Sequence, residues 1–247
     1  SLFQSSVLVI VIFSILQCCS TENPVVVHQV TGLMETNCYL LYDIKSKEAT
    51  LIDVGGPIDV LESVIEDKNL DLKYLFITHA HPDHIQGLPS IRKKYPNAKM
   101  CLSKEEYEDL SIYPDWESVF PPEEVAEMKK HPGIVEMMNF DYGLIGKPEI
   151  IIEDETIFKL GSLKINTFIT SGHSRGSVCY IVGNALFSGD VLFYRRFGRT
   201  DMPQSGGMEA MVKSIHRLFN KLPDETLVFP GHGPFTDIGS EKRENSE

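Results

Sequence analysis

The stretch Thr78-His79-Ala80-His81-Pro82-Asp83-His84 follows directly on the β-rich run Lys73-Tyr74-Leu75-Phe76-Ile77. It puts three imidazoles and one carboxylate within six positions, just past a strand of the buried type. Imidazole and carboxylate are the side chains that suit zinc, iron and similar divalent ions. In an extended run His79 and His81 project the same way, so both can reach one ion. Pro82 then turns the chain, and Asp83 and His84 can swing toward a second. The chain holds 8 histidines in 247 residues, so three in six positions is not a chance density.

Outward from this cluster the pattern is one of short strands and covering helices. Val25–Val30, Cys38–Tyr42 and Ala49–Asp53 read as strands, and Gly55-Gly56-Pro57 breaks the chain. Asp59–Asp67 places Val60, Leu61, Val64 and Ile65 on one helical face. Ile85–Tyr95 predicts a helix, with Pro89 near its start and Pro96 past its end, before a strand at Lys99–Leu102. A second β-rich half has strands at Glu149–Ile152, Ile157–Leu160, Leu163–Thr170, Ser177–Val182, Leu186–Ser188 and Leu227–Phe229. Gly161-Ser162 and Gly183-Asn184 supply hairpin turns, and Met208–Lys221 is an amphipathic helix. This rhythm predicts an α/β chain of sheets covered by helices.

Residues 103–148 differ. They hold Pro114, Pro121, Pro122, Pro132 and Pro148 among many acidic residues, with a short helix expected over Glu123–Lys130. They read as an insertion near the site. Its aromatics, Tyr107, Tyr113, Trp116, Phe120, Phe140 and Tyr142, are expected to pack locally rather than to wall a pocket.

Three more ligand-type side chains stand at strand ends beside glycine: His173 after Gly172, Asp190 after Gly189 and His232 after Gly231. Glycine lets backbone approach a crowded centre closely. Each alone is weak, but beside the His79 cluster they read as further candidate ligands. His28, His131 and His216 lack such a context and are expected to be structural.

Composition bounds the partners. A formal net charge of -12 argues against a nucleic-acid partner, which needs clustered Lys and Arg. A small-molecule substrate is expected, and oligomeric state is not legible. Cys38, Cys101 and Cys179 are widely spaced, which predicts buried thiols rather than a disulfide framework. Val7–Leu16 is apolar and too short to span a bilayer, and Cys18 and Ser20 are small residues near a potential cleavage point. Residues 1–22 are therefore expected to be a hydrophobic leader, pointing to the secretory pathway or a membrane-associated location, with a cytoplasmic one as the alternative. Residues 23–247 are expected to form one folded domain that carries the histidine and aspartate cluster, with 103–148 as an insertion near it.

Together these motifs resemble the metallo-β-lactamase superfamily and, within it, the glyoxalase II-like (hydroxyacylglutathione hydrolase-like) branch. His79-x-His81-x-Asp83-His84, Gly172-His173-Ser174, Asp190 and His232 match the superfamily's ligand motifs. Phe197-Gly198-Arg199-Thr200-Asp201 and Pro230-Gly231-His232-Gly233-Pro234 are similar to segments of the branch, and Leu51-Ile52-Asp53-Val54-Gly55 to the early strand whose Asp supports the ligands from behind. The resemblance implies a four-layer αββα sandwich with metals at one edge. It implies two divalent ions, zinc foremost, with iron or manganese also accommodated. One would be held by His79, His81 and His173 and the other by Asp83, His84 and His232, with Asp190 between. It implies hydrolysis of an acyl thioester by a metal-bridged hydroxide, with Asp83 as a catalytic group able to relay a proton. The alternatives are a mononuclear-iron, persulfide dioxygenase-like oxidoreductase and, further off, a β-lactam hydrolase. Tyr194, Arg195 and Arg196, following Asp190, are candidates to bind a substrate carboxylate. Ala80 stands where branch members often carry another histidine. The helical domain with which full-length glyoxalase II enzymes bind glutathione has no counterpart in the 15 residues after His232, so recognition of glutathione by that route is not expected.

Overall fold

A computed structural model describes residues 9–12 (backbone only), 24–110 and 120–245. The first half forms a seven-stranded sheet in chain order: β1 Val9–Ile12, β2 Val25–Thr31, β3 Thr36–Tyr42, β4 Glu48–Ile52, β5 Asp71–Phe76, β6 Lys99–Ser103 and β7 Ile150–Ile152. β1 to β4 pair antiparallel and β4 to β7 parallel. Parallel pairs need crossovers. Helix α1 Asp59–Asp67 makes one, and the short α2 Pro82–Ile85 with α3 Leu88–Lys94 makes the next. Within the expected leader, the apolar β1 lies along β2, with Val9 opposite His28. Among the described residues no helix is long and apolar enough to cross a membrane.

The second half forms a six-stranded sheet in the order β15-β14-β11-β10-β9-β8, from β8 Ile157–Leu160, β9 Leu163–Ile169, β10 Val178–Val182, β11 Ala185–Gly189, β14 Leu227–Pro230 and β15 Thr236–Asp237. A small hairpin, β12 Leu192–Phe193 with β13 Arg196–Phe197, stands beside it. Helix α7 Met208–Lys221 and the C-terminal α8 Ile238–Glu244 complete this half; α4 Lys104–Asp109, α5 Pro122–Met128 and α6 Pro132–Met138 belong to the excursion between β6 and β7.

Alternation along each strand sorts side chains onto two faces. Inward, Tyr39, Leu41 and Phe76 of the first sheet meet Phe158, Ile165, Tyr180, Phe187 and Phe229 of the second. Phe76 and Tyr180 have ring centroids 4.7 Å apart. Outward, Leu40, Leu51 and Leu75 are covered by Leu61, Ile65 and Ile91 of the helices. On the far side Phe168, Ile181 and Leu186 are covered by Met211, Ile215 and Leu218 of α7. This is the expected αββα sandwich.

At one edge the sheets are tied by backbone. Asn37 N donates to Gly231 O (2.7 Å), and Val178 N to Thr78 O (2.8 Å). Two buried hydroxyls reinforce the tie: Tyr39 to Pro230 O (2.6 Å) and Tyr180 to Ile77 O (2.8 Å). The ends of β5, β9, β11 and β14 are thereby gathered in one place. The helix expected over Ile85–Tyr95 is broken at Gly87. Its amide goes to Val54 O (2.8 Å), and a side chain there would overlap Gly56 O. The tertiary bond outcompetes helix continuation.

Candidate metal centre

Each candidate ligand sits just past a strand of that edge. β5 delivers His79 and His81. Pro82 opens α2, so Asp83 and His84 lie on its first turn, where His84 N donates to His81 O (2.9 Å). β9, β11 and β14 deliver His173, Asp190 and His232. Gly231 is required here, because a Cβ at that position would overlap Asp190 Oδ1.

The structure brings all seven side chains together. His81 Nδ1 lies 3.0 Å from His79 Nε2 and 2.9 Å from His173 Nε2. His84 Nε2 lies 3.2 Å from His232 Nε2 and 3.6 Å from Asp83 Oδ2. Asp83 Oδ2 lies 3.2 Å from His232 Nε2. Asp190 touches both groups, with Oδ1 3.3 Å from His84 Nε2 and Oδ2 3.5 Å from His173 Nε2 and 3.4 Å from His232 Nε2. The ligand atoms of His79, His81 and His173, and those of Asp83, His84 and His232, each fall within 4.8 Å of one another.

The other ring nitrogens explain why these point inward. His84 Nδ1 faces Asp53 Oδ2 (2.8 Å), His173 Nδ1 faces Arg199 O (2.9 Å) and His232 Nδ1 faces Met34 O (2.9 Å). Those oxygens only accept, so in the neutral ring, the form that ligates metal, each Nδ1 carries the proton and Nε2 presents a lone pair. Thr78 Oγ1 donates to Asp53 Oδ2 (2.8 Å) and lies 3.1 Å from His79 Nδ1. Asp53 also accepts from Thr78 N (2.8 Å), and its backbone sits at φ 56°, a left-handed conformation that Asp tolerates better than most residues. Asp53 thus lies behind the cluster, against His84 and Thr78.

Electrostatics divide the cluster. Burial, reinforced by neighbouring histidines, holds His79 well below the ordinary imidazole range and pushes His81 down to about 3; burial lowers His173 as well. These three are neutral at physiological pH, the form that ligates metal. At His84 burial opposes charge, but Asp190, Asp83 and Asp53 outweigh it and lift the ring well above its usual value. At His232 burial is likewise outweighed, chiefly by Asp190 and Asp83, and the ring rises to about 9. Burial would raise both ligand carboxyls. His84 and His232 override it, taking Asp83 down to about 2 and Asp190 well below its usual range. Asp190 Oδ1 is buried without a well-formed hydrogen bond. Converging lone pairs, ionised carboxylates and an under-satisfied oxygen fit a pair of divalent cations.

The cluster floors a cleft of about 700 Å³. Of the three residues considered for substrate carboxylate binding, only Arg196 lines it. Tyr194 and Arg195 form the turn between β12 and β13, and Arg195 pairs with Glu244 (3.1 Å). Phe120 is the one aromatic of the excursion on the cleft wall among the described residues. Tyr107, Phe140 and Tyr142 pack locally on the first sheet's outer core, and Tyr113 and Trp116 lie outside the described residues. Sequence reasoning missed Glu106 of α4. Buried, it accepts from Ala80 N (2.7 Å) in the ligand loop and from Gly176 N (3.1 Å) in the loop after His173. It missed Asn37 too, which braces the His232 loop through Pro230 O (2.9 Å) and Gly233 O (3.0 Å). His28 has the structural role expected of it, lying 2.7 Å from Asn37 Oδ1.

Paired ligand clusters on an αββα edge define a metallo-hydrolase of the metallo-β-lactamase type. Residues 31–232 match the sequence profile of the Metallo-beta-lactamase superfamily, and the chain belongs to that superfamily. It is 32% identical over 222 residues to "Probable metallo-hydrolase YqgX" of Bacillus subtilis (strain 168), covering 87% of this chain and 92% of that one. It is also 32% identical over 214 residues to "Hydroxyacylglutathione hydrolase GloC" of Haemophilus influenzae (85% and 92% covered). Among solved structures it is similar to the BLEG-1 B3 metallo-beta-lactamase, with a TM-score of 0.71 at 30% identity over 89% of this chain and 97% of that one.

Proposed function

We propose that this chain hydrolyses acyl thioesters with two divalent metal ions, as a member of the glyoxalase II-like branch. The observation that carries this reading is the convergence of two three-ligand groups on Asp190 at the floor of a substrate-sized cleft. The thioester reading draws further support from the Gly198-Arg199-Thr200-Asp201 segment and from the likeness to GloC.

In this proposal His79, His81 and His173 would hold one ion and Asp83, His84 and His232 the other, with Asp190 available to both. When bound, such ions supply Lewis-acid activation of water and of the scissile carbonyl. The residues do the rest. Asp53, Thr78, Arg199 and Met34 fix the imidazole tautomers from behind. Asp83, held ionised by His84 and His232, accepts a hydrogen bond from Thr36 Oγ1 (3.2 Å) and lines the cleft as a carboxylate able to accept a hydrogen bond there. A thiol leaves readily as thiolate because its pKa is only about 8.5, so no strong general acid is needed. Arg196 pairs with no acidic side chain among the described residues; its guanidinium lies 5.2 Å from the Phe193 ring, placed to meet a substrate carboxylate.

The test is metal analysis of purified protein together with turnover of small thioesters, a β-lactam and glutathione persulfide. Two ions per chain with thioester turnover that a chelator abolishes support the reading. A single iron with oxygen consumption on the persulfide would replace it with the oxidoreductase alternative.

A further inference from the structure

Five of the chain's 8 methionines, Met34, Met128, Met137, Met138 and Met202, line the one cleft that holds His81, Asp83, His173, Asp190 and His232. None of the five belongs to the buried core clusters, whereas Met100 and Met211 do. They are therefore not filling gaps between sheets and helices. Met128 comes from α5, Met137 and Met138 from α6, Met34 from the turn between β2 and β3, and Met202 from the loop after β13. Ile134 and Phe120 continue the same surface. Arg199, also in the lining, is engaged by Asp201 at 2.7 Å.

We propose that this methionine wall binds the acyl chain of the substrate and selects thioesters whose acyl group is long and apolar. The inference rests on the thioester reading above. The wall is continuous with the ligand cluster, so whatever lies on it is joined to the carbonyl under attack. Biological thiols are polar and hydrated, which leaves the acyl chain as the apolar arm. Unbranched thioether side chains conform to ligands of differing shape, so the wall accommodates a range of chain lengths. The reaction adds water across the C–S bond. The acyl carbon gains the oxygen, the C–S bond breaks, and the sulfur departs to be released as thiol with the second proton of water.

The experiment uses the metal-loaded full chain and S-acyl-N-acetylcysteamines from acetyl to decanoyl. KM is expected to fall about fourfold per methylene buried until the wall is covered, with kcat changing little. The Met137→Gln/Met138→Gln double variant, checked for folding by circular dichroism, is expected to flatten that dependence and raise KM for the decanoyl ester at least about tenfold. S-alkyl thioethers, which cannot be hydrolysed, read the wall by calorimetry without any chemistry. Turnover with a KM indifferent to chain length overturns the inference and leaves the hydrolase reading standing. Length-dependent thioether binding without turnover of any thioester supports the wall and removes the hydrolase. Absence of both removes the two together.

Discussion

Replacing Asp53 by Asn changes one atom behind His84 and should disable one ion site while sparing the fold. Asp53 Oδ1 accepts from Thr78 N, and Oδ2 accepts from Thr78 Oγ1 and faces His84 Nδ1, each at 2.8 Å. In the variant the amide oxygen keeps Thr78 N. The NH2 group then faces two donors. The Thr78 hydroxyl can rotate to accept, but the His84 ring must move its proton from Nδ1 to Nε2. That nitrogen points at His232 Nε2 (3.2 Å) and Asp190 Oδ1 (3.3 Å), the position where it would ligate. Loss of such a supporting partner costs about 10- to 100-fold in metal affinity, which is about 1.4–2.8 kcal/mol. The loss should fall on the ion held by Asp83, His84 and His232. Asn tolerates the left-handed backbone at residue 53 (φ 56°), so the local chain keeps its course. Asp53→Ala should additionally strand the Thr78 amide and destabilise the fold by about 1–3 kcal/mol. A chelator-competition titration that resolves two metal equivalents reads the effect. Retention of both equivalents at wild-type affinity in Asp53→Asn would refute the tautomer argument.

Further outcomes follow from the same geometry. His81→Ala should release the ion held with His79 and His173 and bring thioester turnover to background; full turnover in the variant would exclude the proposed mechanism. Chelation should lower the melting temperature, because ions bind the folded chain alone. An ion present at a hundredfold excess over its Kd is worth about 2.7 kcal/mol, or about 5–10 °C for a chain of this size, and differential scanning calorimetry measures it. The metal-free protein should be most stable near pH 6.5, as denaturant midpoints at about pH 4.5, 6.5 and 9 would show. His79, His81 and His173 are depressed, so their contribution is full above the unfolded imidazole value and is lost as pH falls toward the folded values, about 3 for His81. His84 and His232 are raised, so their contribution is full below about 6.5 and is lost as pH climbs toward the folded value of His232, about 9. A midpoint that rises steadily across that range would contradict this division of the cluster.

The candidate ligands were legible in the sequence as a cluster because coordination chemistry favours local signs: an imidazole pair at strand spacing, and ligand-type residues beside glycine at strand ends. The layers were legible because period-2 and period-3.6 patterns survive in single segments, as in β9 and α7. The residues that brace the ligands were not. Glu106 acts on Gly176 across 70 positions and Tyr39 on Pro230 across 191, and neither bears a mark of its partner in its own neighbourhood. Gly87 ends a helix for a tertiary reason, and no local pattern records the carbonyl of Gly56 beside it. The methionine wall was illegible for the same cause. Its members come from separate excursions and are ordinary in each.

β6 and β7 are neighbours in one sheet, paired from Cys101–Ile150 to Ser103–Ile152, yet the chain between them travels out through α4, α5 and α6 before it returns. Under the proposed function, the part of that detour beyond α4 carries Met128, Met137 and Met138 of the cleft wall, while Glu106 of α4 braces the ligand loops, so substitutions beyond α4 would retune the substrate without removing that brace.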